Sequence, residues 1–136
     1  MKIALSQIEV NSGNPELMMS KIKEYVELAK SKKVDIIAFP EMVFGYFVGD
    51  KWMSKEYCKY LMSFNSEIQN ISYQYKIGII YGNIFLFEDD VILKNNQKFC
   101  MENGLDIKFN AAYFYQNGKP VNRKNKFKYI PDGIQP

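Results

Sequence analysis

The segment Val34–Phe39, with the sequence VDIIAF, places the strongest constraint on how this chain can fold. Asp35 is its one polar residue, and the segment stops at Pro40, which has no backbone N–H to extend a central ladder. A short apolar run with such a stop is typical of a strand covered on both faces, as in α/β proteins. The next residue is Glu41, so the pattern places a carboxylate at the end of a buried strand.

Periodic segments on either side of this strand predict alternating strands and helices. Apolar residues at alternate positions in Lys2–Val10 indicate a first strand. Asn14 is suited to cap a helix, with Pro15 at its first position, and helical spacing continues to about Lys32. A second apolar stripe at helical spacing predicts a helix over residues 54–75.

The rest of the chain predicts a third strand followed by a hairpin. Ile77–Phe87 is strand-like, and its two glycines indicate close backbone approach. Phe109–Tyr115 and Lys119–Val121 flank the turn pair Asn117–Gly118. The order β-α-β-α-β plus a hairpin predicts an α/β fold with an at least partly parallel sheet. Two helices can hardly cover both faces of such a sheet, so we expect further cover from outside this chain.

Composition narrows the possible chemistry. The chain of 136 residues suits one domain and has no histidine, which excludes histidine-based catalysis. Its two cysteines, Cys58 and Cys100, are too far apart for a zinc finger or a CxxC redox motif. Cys58 falls on the apolar stripe of the second helix and is expected in the core.

Three further observations indicate which partners and which compartment to expect. The basic run Arg123–Lys128 is interpreted as a solvated edge, because the net charge is only +3, and we expect no nucleic-acid partner. No signal peptide or apolar run of about 18 residues is visible, so we expect a cytoplasmic protein without a membrane partner. The polar stretch Glu88–Lys108 is interpreted as a functional loop, a partner-binding insertion or a surface excursion.

Glu41 is the candidate functional residue. Ligands of α/β sheets bind beyond the carboxyl ends of parallel strands, where this side chain is expected. Apolar and aromatic neighbours would suit a general base. The alternative is a solvated glutamate that opens a loop.

The residues around Glu41 also carry a family resemblance. The sequence DIIAFPEMVFGYFVGD resembles the first catalytic segment of the nitrilase, or carbon–nitrogen hydrolase, superfamily. MKIALSQIEVNSGNPELMMSKI, IGIIYGNIF and FNAAYFYQNGKPV resemble its first strand and helix, its third strand and its asparagine-containing hairpin. Within the superfamily, Gly45, Tyr46 and Asp50 are most similar to the glutaminase domain of glutamine-dependent NAD⁺ synthetases.

This resemblance implies a fold and a reaction. The family fold is an α-β-β-α sandwich of two sheets, of which this chain would form the N-terminal half, with a mixed sheet and two helices. The family hydrolyses amides with a Glu–Lys–Cys triad, in which Glu41 would be the general base. Tyr46 would line the pocket of glutamine or another small amide, or would be an ordinary packed aromatic residue. No metal or cofactor is implied for the amidase step. ATP and Mg²⁺ would act in a separate synthetase domain.

The chain departs from the family pattern at the other two triad positions. Neither Lys126 nor Lys128 has the family spacing to the following proline, and neither Cys58 nor Cys100 matches the nucleophile. We therefore expect residues 1–136 to be a carbon–nitrogen hydrolase domain truncated before its lysine and cysteine, and inactive alone. Its partner would be the missing C-terminal half or a second copy of the chain. The alternatives are a fragment of an ω-amidase or aliphatic amidase, and a non-catalytic pseudoenzyme or partner-binding module.

Overall fold

The computed structural model describes residues 1–11, 13–45, 55–86 and 108–121. Its elements follow the predicted order: β1 (Ile3–Leu5), α1 (Pro15–Ser31), β2 (Ile36–Ala38), α2 (Lys55–Tyr75), β3 (Gly78–Leu86), β4 (Lys108–Gln116) and β5 (Lys119–Pro120).

The strands form one mixed sheet in the order β1-β2-β3-β4-β5. β1, β2 and β3 are parallel, whereas β4 pairs antiparallel with both β3 and β5. This confirms the α/β class and the partly parallel sheet. β1 is shorter than the predicted Lys2–Val10 because β2, its partner in the described sheet, is itself only three residues long.

Local chemistry determines where α1 begins. The side chain of Asn14 accepts a hydrogen bond from the N–H of Leu17 at 3.1 Å, and Pro15 takes the first helical position. Glu16 lies in the first turn, where the helix dipole favours an anion. These features confirm the predicted N-cap.

Both helices pack on the same face of the sheet. One apolar core contains side chains from α1, from α2 and from the strand positions Ile37, Ile79 and Tyr81. Cys58 of α2 is fully buried in this core, as the sequence predicted.

The opposite face of the sheet has no helix from the described part of the chain. We call it the open face and define it by the strand register as Ile3, Leu5, Ile36, Ala38, Ile80 and Phe114. Leu5 is 80% exposed and Ile3 is 55% exposed, although both are aliphatic. Within the described part of the chain, the two helices thus leave part of the sheet uncovered, as expected.

The hairpin turn is docked on α2. Asn117 and Gly118 have φ angles of 51° and 73°, which suit the tight turn that the Asn-Gly pair predicts. The side-chain amide of Gln69 donates to the Gly118 carbonyl at 2.7 Å, and the Gly118 N–H donates to the Ser72 hydroxyl at 3.2 Å. These bonds hold the β4–β5 end of the sheet against the helix layer.

Candidate functional site

The turn Glu41–Phe44 follows β2 at the carboxyl end of the parallel strands. Phe39 donates its N–H to the Ile80 carbonyl at 2.8 Å, and Pro40 has no N–H with which to continue. The chain therefore leaves the regular ladder where the sequence predicted. Glu41 lies in this turn, and its side chain is exposed.

Gly82 of β3 holds the turn by hydrogen bonds on both sides of Glu41. Its N–H donates to the Pro40 carbonyl at 3.2 Å, and its carbonyl accepts from the N–H of Val43 at 3.0 Å. Two residues, Glu41 and Met42, thus lie between consecutive bonds to one glycine, where a regular ladder has one, so the turn contains one extra residue, as in a β-bulge. This geometry fixes the backbone of Glu41 against β3.

The same turn contains a strained residue. Met42 has a φ of 46°, in the left-handed region that a residue with a Cβ rarely adopts. Such a conformation costs on the order of 1–3 kcal/mol and is concentrated at functional sites. Gly45, with a φ of 124°, donates its N–H to the Met42 carbonyl at 2.9 Å and closes the turn.

The aromatic residue after Glu41 anchors the turn in the core. Phe44 is 1% exposed, and its ring stacks on Phe64 at 4.9 Å and meets the edge of Tyr81 at 6.2 Å. We expected apolar and aromatic side chains to surround Glu41. That expectation is wrong for Phe44, because its ring packs under α2 while the Glu41 side chain is exposed.

A buried polar network next to Gly82 was missed by the sequence reasoning. Asn83 is fully buried and donates to the Leu61 carbonyl at 2.9 Å and to Asn65 Oδ1 at 3.0 Å. The Tyr81 hydroxyl also donates to Asn65 Oδ1, at 2.7 Å. The available signal was an asparagine within the apolar run IGIIYGNIF, because a buried amide needs partners. The network joins β3 to α2 beside the residue that holds Glu41.

Three stacked tyrosines continue this cluster across the sheet. Tyr81 lies 5.3 Å from Tyr113 and 6.3 Å from Tyr115, ring centre to ring centre. Burial raises the pKa of Tyr113 to about 12 and raises the pKa of Tyr81 as well. Both phenols therefore keep their protons at neutral pH and serve as neutral hydrogen-bonding groups.

Several predicted residues lie outside the described part of the chain, so their roles stay predictions; they are Tyr46, Asp50, Cys100, Lys126 and Lys128. The segments Glu88–Lys108 and Arg123–Lys128 lie there too, except for Lys108 at the start of β4. Within the described ranges, no three acidic or cysteine side chains are grouped so that they could hold a metal ion. Neither α1 nor α2 combines the length and the apolar character needed to cross a bilayer.

The observed architecture combines a mixed sheet, helices on one face, and a glutamate held at the carboxyl end of a parallel strand. The family model for carbon–nitrogen hydrolases matches residues 2–134, and the chain belongs to this family. No curated protein sequence matches the chain.

Solved structures of the nitrilase superfamily share this fold. An amidase from Nesterenkonia sp. has a TM-score of 0.66 at 14% identity, over 90% of this chain and 41% of that chain. A variant of the Nesterenkonia sp. AN1 amidase, with the acetamide moiety of fluoroacetamide on its active-site cysteine, has a TM-score of 0.67 at 12% identity, over 90% and 41%.

A synthetase structure also matches. The glutamine-dependent NAD(+) synthetase from Cytophaga hutchinsonii has a TM-score of 0.65 at 17% identity, over 87% of this chain and 17% of that chain. This chain thus spans less than half of each of these proteins, and it corresponds to the N-terminal part of the nitrilase fold.

Proposed function

We propose that this chain forms the part of an amide-hydrolysing domain that carries the general base, Glu41. One observation carries the proposal: in a chain of the carbon–nitrogen hydrolase family, Glu41 is held beyond a parallel strand in a strained turn. Gly82 bonds to the backbone on both sides of it. Carboxyl ends of parallel strands are where α/β sheets bind their ligands.

In this reaction, Glu41 takes the proton from a cysteine thiol as the sulfur attacks the amide carbon. A lysine ammonium stabilises the oxyanion of the tetrahedral intermediate. The protonated Glu41 then gives its proton to the leaving nitrogen, which departs as ammonia and leaves a thioester. Glu41 next takes a proton from the water that attacks the thioester, and the thiol recovers that proton when the acid is released. The cysteine and the lysine are implied by the family and are assigned to no described residue.

For the substrate, we propose glutamine, with the released ammonia used in NAD⁺ synthesis. Two things support this substrate: the Gly45-Tyr46 and Asp50 pattern, and the shared fold with a glutamine-dependent NAD(+) synthetase. Tyr46 would line the glutamine pocket. The amidase step would need no cofactor, and ATP and Mg²⁺ would serve a separate domain. We expect this activity in the cytoplasm.

A second candidate substrate is a small aliphatic amide. The amidase variant modified by fluoroacetamide has the same fold at a similar TM-score, which supports this alternative. A third candidate is a pseudoenzyme that binds a partner without turnover.

The test is ammonia release by the full-length protein, with glutamine and acetamide as substrates. Glu41→Gln should lower the rate by about 10²–10⁴-fold, because the amide keeps the shape of the side chain but cannot accept the proton. The melting temperature should change little, because the Glu41 side chain is exposed. Glu67→Gln, at an exposed position of α2, is the matched control and should leave the rate unchanged.

The outcomes separate the candidates. Faster release from glutamine supports the glutaminase, and faster release from acetamide supports the aliphatic amidase. Normal ammonia production by Glu41→Gln would refute Glu41 as the base. No release from either amide by the wild-type protein would favour the pseudoenzyme.

A further inference from the structure

We propose that Gly82 is a positioning residue for Glu41: because it has no side chain, the backbone of Glu41 can lie directly against β3. The inference rests on the proposed function of Glu41 as a base. It assigns a role in catalysis to a residue that would not touch the substrate.

The contact is too close for any other residue. A Cβ atom on Gly82 would lie 2.7 Å from Glu41 Cα, 2.8 Å from the Met42 nitrogen and 3.1 Å from the Glu41 carbonyl carbon. All three are backbone atoms, so no side-chain rotation can relieve the overlap. Ordinary van der Waals contact begins at about 3.4 Å, and the Glu41 backbone would have to move by several tenths of an ångström.

Backbone conformation does not explain this glycine. The glycines with a positive φ among the described residues are Gly13, Gly45 and Gly118, and Gly82 is not one of them. Alanine could therefore adopt the backbone angles of Gly82 without strain. What position 82 requires is the absence of a Cβ, which confirms the close approach that the sequence predicted.

The strand side of the contact is held firmly. Asn83, the next residue, is fully buried and hydrogen-bonded to Leu61 and Asn65 of α2. On the other side, Val43 and Phe44 are buried in the core. An added methyl group at position 82 would therefore displace mainly Glu41 and Met42, the two residues between these anchors.

Such a displacement matters for a general base. A base has to lie within about 2.6–3.2 Å of the atom whose proton it takes. A misplacement of about 1 Å can cost on the order of 10²-fold in rate. We expect a smaller shift in Gly82→Ala and hence a loss of roughly 10- to 100-fold in kcat, with a smaller change in KM.

Gly78 provides a matched control in the same strand and on the same face. Its Cβ would meet side-chain atoms, Ile36 Cγ1 at 2.9 Å and Phe114 Cε2 at 3.1 Å, and the Asp35 carbonyl at 3.4 Å. Gly78→Ala should therefore reduce stability by perturbing the open face while leaving the Glu41 turn in place. Its kcat should stay within about twofold of the wild type.

The experiment compares both alanine variants of the full-length protein, alone and combined with Glu41→Gln. If Gly82 acts through Glu41, Gly82→Ala should lower kcat in the wild type but add little loss once the base is gone. Gly78→Ala should lower kcat in neither background. An equal loss from Gly82→Ala with and without Glu41, or no loss at all, would overturn the proposal.

A measurement without mutation covers the case in which Gly82→Ala does not fold. In glycine-labelled full-length protein, a strong nuclear Overhauser effect is expected between the α protons of Gly82 and Glu41. Its absence would refute the contact itself. Because this readout needs no turnover, it also separates failure of the positioning role from failure of the proposed hydrolase activity.

Discussion

Single residues on the helix-covered face show how this fold accommodates polar groups. Tyr81 and Asn83 lie in the middle of an otherwise apolar strand, and both hydrogen-bond to Asn65 of α2. Buried polar groups are tolerated when they are paired in this way. Tyr113 is a third case, since its hydroxyl donates to the Ile84 carbonyl at 3.2 Å.

Burial of Tyr113 should make the protein lose stability in alkali. Its pKa rises from 10.0 to about 12 in the fold, chiefly through desolvation. Between these values the unfolded chain loses the phenol proton while the folded chain keeps it, so the free energy of unfolding falls as the pH rises. Below pH 10 this contribution is fully present. Tyr113→Phe should flatten the fall, although burial of Tyr81 preserves part of it.

Urea unfolding of the full-length protein at pH 8 and between pH 10 and 11.5 tests this prediction. Each protein is compared with its own free energy of unfolding at pH 8, because that reference already contains the pH-independent effect of losing the hydrogen bond to Ile84. If the free energy of unfolding falls equally steeply with pH in the wild type and in Tyr113→Phe, the assignment to Tyr113 is contradicted.

At the same scale, the position of Glu41 could be predicted, whereas the sequence left open whether its side chain is surrounded by apolar groups or solvated, and the structure shows it exposed. Pro40 indicates from local chemistry alone where β2 must end. The direction of Phe44, however, depends on its contacts with Phe64 and Tyr81, which are distant in sequence. No local pattern around FPEMVFGY records those contacts.

Among the elements, the helices were predicted more closely than the strands. α2 ends at Tyr75 as expected, and α1 ends at Ser31, one residue before the predicted end. Helix bounds follow from caps and spacing within the segment itself. Strand bounds also depend on the neighbouring strand. β1 is short because only three of its residues pair with β2.

Replacing the glycine of the β4–β5 turn by alanine should destabilise the protein. Gly118 has a φ of 73°, and an added Cβ would lie 2.7 Å from Tyr73 Cβ. A left-handed alanine costs about 1–2 kcal/mol before the overlap is counted. Gly118→Ala should therefore lower the free energy of unfolding of the full-length protein by at least about 1 kcal/mol.

Gly118→Asn is the comparison variant. Asparagine tolerates the left-handed region better than alanine, and it adds the same Cβ. Thermal unfolding should rank the wild type above Gly118→Asn and Gly118→Ala lowest. An alanine variant as stable as the wild type would show that the turn does not hold this geometry in solution.

For the whole molecule, the arrangement of the helices follows from the handedness of the connections. β1, β2 and β3 advance in one direction across the sheet, and parallel connections are almost always right-handed. Both helices must then lie on the same face. The sequence does not state the strand order, so it predicted uncovered strands without showing that, among the described elements, both helices would lie on one face.

The open face should make the 136-residue chain associate with itself when it is produced alone. Leu5 and Ile3 are the most exposed of its aliphatic residues, and they lie on β1, an edge strand of the described sheet. Exposed apolar surface and unpaired edges both favour association. Leu5→Lys should weaken association about tenfold or more, because a buried leucine contributes roughly 1.5–3 kcal/mol and a lysine at an edge opposes pairing.

Leu28→Lys is the control, because Leu28 is 52% exposed on α1, in the helix layer on the other side of the sheet. Sedimentation velocity over a range of concentrations should show weaker association for Leu5→Lys and unchanged association for Leu28→Lys. A monodisperse wild-type monomer, or equal effects of the two lysines, would contradict association through the open face.

In the full-length protein the prediction changes with the occupant of this face. If a second sheet of the same domain covers Leu5, Leu5→Lys should lower the melting temperature at every protein concentration. If a second copy covers it, the loss should be greatest at concentrations where the wild type is a dimer and should vanish where the wild type dissociates, because only the associated state buries the leucine.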